Sequence, residues 1–147
     1  MSRAVLIGLA VLAFLGISAL IARWLTTESR ERGAVHRLLS AQARGDAAGM
    51  FGQLAPACRA DLRCRATVAA DARRLRRPGD VKILSYDSKT AYALGGATGL
   101  TRVAWTVVGR GLPVVQCVLV RRTGTALAGR GVSLLRVSAP IGNESSC

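Results

Sequence analysis

Aromatic side chains are scarce in this chain: two Trp, two Tyr and two Phe make up 4% of 147 residues. So few flat rings leave little on which unpaired bases could stack, which argues against nucleic acid as a partner. Acid–base groups are few as well, with eight Asp and Glu in all and a single histidine, His36. Side-chain catalysis of proton transfer needs such groups paired and within hydrogen-bond reach. Here Asp46, Asp61 and Asp80 fall at helix ends or turns, where capping accounts for them. Asp71 stands among arginines and reads as an ion-pair partner, while Glu28 and Glu31 lie in a polar connector. His36, between Val35 and Arg37 on an amphipathic segment, reads as a solvated histidine. The chain lacks a Gly-rich phosphate loop, a G-x-S-x-G and an H-E-x-x-H. The expectation is a protein without catalytic groups, cofactor or metal.

Lysine is nearly missing too, since 19 of the 21 basic residues are Arg. Together with abundant Ala and Gly, that bias resembles the codon usage of a GC-rich, actinobacterial-type bacterium, and it lowers the weight of the arginines as evidence for phosphate recognition. The formal charge of +13 nevertheless draws the chain toward polyanions. The densest basic run is Arg73, Arg74, Arg76 and Arg77, ahead of Pro78. Cations favour the negative end of a helix, and the same run could contact an anionic lipid or wall polymer.

Charge is absent altogether from Ala4 to Ala22, AVLIGLAVLAFLGISALIA. Nineteen residues at about 1.5 Å each cover about 29 Å, the hydrocarbon thickness of a bilayer. A core helix would show a polar face, and this one offers only Ser18. Arg3 precedes the stretch and Arg23 and Trp24 follow it, as interfacial residues do. The alternative is a cleaved signal peptide, but the run exceeds the usual h-region of about 7–15 residues. Ile17-Ser18-Ala19 is a poor cleavage site, so residues 1–25 read as an uncleaved anchor that meets the bilayer through 4–22. Flanking charges leave the orientation nearly balanced.

Cys58, Cys64, Cys117 and Cys147 all lie beyond the apolar stretch. An even count behind an export segment reads as disulfides in an oxidising compartment, which places the N-terminus in the cytoplasm and the rest outside. Of three pairings, Cys58–Cys64 is favoured because the two flank one short turn or helix start, leaving Cys117–Cys147. A zinc site is disfavoured by the five-residue spacer and the distant His36. Cys64, near Arg59, Arg63 and Arg65, is also a candidate low-pKa nucleophile, though a structural disulfide is the better reading.

A short connector or first helical turn over 26–32, TTESRER, should lead into a domain over 33–140 with a tail at 141–147. Val35, Leu38, Leu39 and Ala43 have helical spacing, and Gly45-Asp46 should end that helix and cap the next. Ala47, Met50, Phe51 and Leu54 carry the second helix, which Pro56 stops. A third should run from Asp61 to Arg77 and end at Pro78-Gly79. Strands are expected at 81–86, 89–94, 101–108, 112–122 and 131–138, with turns at Asp87-Ser88 and Gly109-Arg110-Gly111.

Helices followed by four or five antiparallel strands describe an α+β domain with helices on one curved sheet. The anchor, the helix pair joined by Ala43-Arg44-Gly45-Asp46-Ala47-Ala48, and the long meander resemble the NTF2-like, cystatin-like cone fold over about residues 29–138. That resemblance implies enzymes, ligand binders or membrane-tethered modules of secretion, conjugation or transport systems, and fold alone does not choose among them. No catalytic pair of the family maps onto this chain. The leading expectation is a membrane-tethered accessory or scaffold module with a protein partner in the envelope. The alternative is a small apolar ligand binder whose cone is walled by Phe51, Tyr86, Tyr92 and Trp105, although core packing is the commoner use of such aromatics.

Overall fold

The computed structural model describes residues 3–90, 96–124, 131–143 and 145–147. Its first element, α1 (Arg3–Arg44), is one unbroken helix. An 18-residue window has mean hydropathy 2.7 and is unburied, so α1 is long and apolar enough to cross a membrane. The side chains of Arg23 and Trp24 lie outside the described set.

Residues 26–32 take the helical form of the two expected for them. They contain neither Gly nor Pro, and Thr27 and Glu31 are already buried there. The helix ends where the sequence indicates. Gly45 takes φ 75°, its N–H donates to Gln42 O, and the N–H of Asp46 donates to Ala41 O. This Schellman arrangement needs a left-handed residue after the last turn, which glycine adopts at no steric cost.

Asp46 then caps α2 (Ala47–Gln53), its Oδ1 accepting from Gly49 N at 2.8 Å. Pro56 does more than stop that helix: it occupies the first position of a short α3 (Pro56–Ala60), where a missing N–H costs nothing. Asp61 caps α4 (Leu62–Arg74) by accepting from the N–H groups of Arg63 and Cys64. The helix expected to reach Arg77 thus stops three residues earlier. Pro78 biases Arg77 away from helical geometry, and the N–H of Arg77 goes instead to Ala43 O at 2.8 Å.

Four strands follow among the described residues, β1 (Val81–Ser88), β2 (Ala97–Val107), β3 (Arg110–Thr123) and β4 (Gly131–Val137). They form an antiparallel meander in the order β1-β2-β3-β4. The architecture is α+β, as expected, with the strand at 89–94 as the main difference. Asp87 and Ser88 are not a turn but pair with Arg102 and Thr101 inside the ladder. Lys89 and Thr90 follow without strand structure, and 91–94 lie outside the described residues. The chain passes so close to β2 there that a Cβ on Gly99 would sit 2.5 Å from the Thr90 Cα. The β2–β3 turn is Val108-Gly109, with Val107 opposite Arg110, rather than Gly109-Arg110-Gly111. Each neighbouring strand pair carries a register shift, and such bulges bend a sheet.

The core lies between the helices and one face of the sheet. Val103, Trp105 and Val107 alternate inward on β2, Val118 and Val120 do so on β3, and they meet Val35, Leu38 and Leu39 of α1. The C-terminal tail first follows the edge of β3, Ile141 N bonded to Val115 O, and then meets the opposite face, where Arg102 holds the carbonyls of Asn143 and Ser145. Two disulfides, Cys58–Cys64 and Cys117–Cys147, fasten the α3–α4 junction and the tail.

Candidate functional site

The face of α1 that meets the sheet carries Glu31, Val35, Leu38 and Gln42, spaced by four, three and four residues, so they stack along one side of the helix. The two apolar members feed the core. The two polar members, both fully buried, each enter a separate hydrogen-bonded cluster.

Glu31 sits against three strands. Its Oε1 accepts from Tyr86 Oη (2.6 Å, β1), Thr101 Oγ1 (2.8 Å, β2) and Ser88 Oγ (3.0 Å, β1). Its Oε2 accepts from Arg122 of β3, at 2.7 Å from Nε and 2.6 Å from Nη2. Arg122 is nearly as deeply buried, and also donates to Thr90 O and Ser88 Oγ. Burial alone would raise the Glu31 pKa, but the bonds from Tyr86, Thr101 and Arg122 and the charge of Arg122 outweigh it, leaving the carboxyl below its ordinary value. Burial, followed by the bond to Glu31 and its charge, pushes the Tyr86 phenol up. Such a carboxylate is ionised and saturated with donors. The arrangement holds a charge in place.

The second cluster centres on Gln116. Its Oε1 accepts from Gln42 Nε2 and Trp105 Nε1, both at 2.9 Å, while its Nε2 donates to Asp71 Oδ2 (3.1 Å) and Ser138 O (2.9 Å). All four hydrogen-bonding positions of the amide are used. Asp71, read from sequence as an ion-pair partner, is corrected by this geometry. It is buried at 2% exposure, and its carboxylate takes a neutral amide donor rather than forming a close ion pair among the described residues. Burial pushes its pKa up to about 6, against the smaller opposing effects of the Arg74 charge and the Gln116 bond.

The sign follows from proton linkage. With a folded pKa above the unfolded value of about 3.9, the native state binds the proton more tightly, so Asp71 removes stability as pH rises through the interval from about 4 to 6. At about 1.4 kcal/mol per pKa unit the loss is on the order of 3 kcal/mol. Asp71→Asn, which keeps an acceptor for Gln116, should raise stability at pH 8 by that order and flatten the slope between pH 4 and 6. Denaturant titrations across this range check it, and an unchanged slope would show that Asp71 ionises freely.

The other residues singled out from sequence are dispersed. Trp105 is in the core; Tyr86 is half-buried on Glu31, with the Arg32 guanidinium 5.4 Å from its ring centroid. Phe51 packs at the core margin and lines a surface hollow with Ala48, Gly52, Arg59 and Arg65. Tyr92 lies outside the described residues. None of the described cavities brings two of these aromatics together. His36 is exposed, with Nε2 3.1 Å from Val81 O. Arg73, Arg74 and Arg76 are exposed, and half-buried Arg77 donates to Leu112 O at 2.8 Å. All four cysteines are in disulfides, so Cys64 is neither a thiolate nucleophile nor a free metal ligand.

The fold and its two internal clusters define an α+β domain carried on a helix able to cross a membrane. Comparison with protein-family models, curated proteins and solved structures returned no match to this chain.

Proposed function

We propose that this chain is a non-enzymatic, membrane-tethered module of the NTF2-like kind, an accessory or scaffold within a bacterial envelope assembly of secretion, conjugation or transport type. Its N-terminus is cytoplasmic, its anchor uncleaved and its domain extracytoplasmic. The observation that carries the reading is α1 itself: one helix supplies both the apolar segment and a central wall of the domain, riveted to three strands through Glu31. A tether built into the core in this way presents the domain in a fixed pose at a membrane. The two disulfides support an oxidising side. The scaffold reading is favoured over a ligand binder because Trp105 and Tyr86 spend their polar groups on Gln116 and Glu31.

Extraction of the full chain from native membranes in mild detergent should give a discrete heteromeric species on native gels. A purely monomeric chain under those conditions sinks the assembly reading. Alkylation without reductant should leave all cysteines unlabelled; four labelled cysteines remove the extracytoplasmic placement.

A further inference from the structure

α1 rises past its apolar segment before it ends. From Ala22 to Ala43 it climbs about 32 Å, and even at a 40° tilt about 24 Å, using about 1.5 Å per residue. Arg77 is bonded to Ala43 O, so the basic run stands at the top of that climb. Electrostatic attraction is screened within about 8 Å at physiological salt. These arginines therefore do not serve the headgroups of the bilayer that holds α1.

They stand beside the β2–β3 hairpin tip. Val108 N donates to Asp80 O, and Arg77 Nη1 donates to Leu112 O, tying the tip to the segment after α4. On this tip Leu112 is 80% exposed and Val108 65%, next to exposed Arg110. The same end carries exposed Arg73, Arg74 and Arg76. Of the carboxylates nearby, Asp46 is occupied in capping α2, and the exposed Asp80 is outnumbered by the four arginines. Apolar side chains held out on a fixed turn and ringed by arginine offer apolar area beside positive charge, which an acidic protein face with apolar area of its own would complement. A wall polymer or other polyanion would use the charge but leave Leu112 and Val108 in water.

We infer that the membrane-distal tip, Val108 and Leu112 flanked by Arg73, Arg74, Arg76 and Arg110, is the docking surface for an acidic, partly apolar face of another envelope protein. This rests on the assembly reading above and assigns its contact surface. The tip arrives preorganised, since Gly109 and Gly111 hold positive φ and Arg77 fixes Leu112 O, which limits the ordering cost of binding.

The test places a photo-crosslinking residue at 108 or 112 of the full chain in native membranes, with Leu62 and Leu84, exposed elsewhere, as control positions. One adduct of the same mass should form with a second, different polypeptide from 108 and 112, and not from 62 or 84. Its contact peptide should be rich in Asp or Glu. Replacing Arg73, Arg74, Arg76 and Arg110 together by Glu should lower the yield at least tenfold. Replacing the four by Lys should retain most of it, which separates charge from misfolding. Adducts only with lipid, glycan or a second copy of this chain overturn the assignment, as does a yield indifferent to charge reversal. If the Glu variant still enters the heteromeric species on native gels, the tip assignment falls while the assembly reading stands. If the unaltered chain forms no such species, the assembly reading itself has failed.

Discussion

Glu31→Ala should cost about 3–5 kcal/mol of unfolding free energy, because it leaves the Arg122 charge buried without its counter-ion. The loss would also strip an acceptor from Tyr86, Thr101 and Ser88 at once. Replacing the pair together, Glu31→Leu with Arg122→Met, should recover most of the deficit, since desolvating both ions offsets much of what their attraction returns. Denaturant titration of the full chain in mild detergent, followed by tryptophan fluorescence, separates the two cases. A single variant within 1 kcal/mol of the parent would mean that water reaches the cluster.

The pH dependence of this pair runs opposite to that of Asp71. The folded pKa of Glu31 is depressed, so its contribution is present above the unfolded value and is lost as pH falls through the folded one. Acid below about pH 4 should therefore loosen the Glu31 cluster while protonated Asp71 tightens the other. The stability of the parent chain should therefore peak near about pH 4, where the Asp71 loss has not begun and the Glu31 contribution is still held.

Removing Cys117–Cys147 by a double Ser substitution should cost about 3.5 kcal/mol, against about 2 kcal/mol for Cys58–Cys64. The chain-entropy estimate grows with the loop closed, and the sequence separations are 30 and 6 residues. The larger loss has a local face. The tail bridges Val115, which is paired with Ala104 across β2 and β3 and buried with it on the outer face, at 3% and 9% exposure. It is held by Ile141 N on Val115 O and by Arg102, which donates to the carbonyls of Asn143 and Ser145. Once untethered it should fray, and hydrogen exchange should accelerate at Val115 and Ile141 but little at Trp105. Equal protection with and without the disulfide would show that the backbone bonds alone hold the tail.

The elements that repeat a simple period were legible in the sequence. Val35, Leu38 and Leu39 at helical spacing and Val103, Trp105 and Val107 in alternation both found the core, and Gly45-Asp46 marked a real helix end and start. Both favoured cysteine pairings also formed. The buried polar residues were missed because each looked like its neighbours. Glu31 belongs to the polar string TTESRER, and only its position four residues before Val35 could have placed it on the inward face. Gln116 and Arg122 share the inward parity of Val118 and Val120 on β3, a signal available from alternation once polarity is set aside. Ser88 was read as a turn residue by type, but Glu31 and Thr101 hold it in the ladder, and such partners from distant elements are invisible to local propensity.

Because α1 passes from its apolar segment into the domain without a hinge, the azimuth of the domain is indexed to the anchor. Each residue added or removed between Ala22 and Glu31 would shift the height by only about 1.5 Å but swing everything above it about 100° around the helix axis. The compass bearing of the domain about its apolar segment is thus written in the count of residues along one helix, and that count sets the direction in which Leu112 and its arginines face.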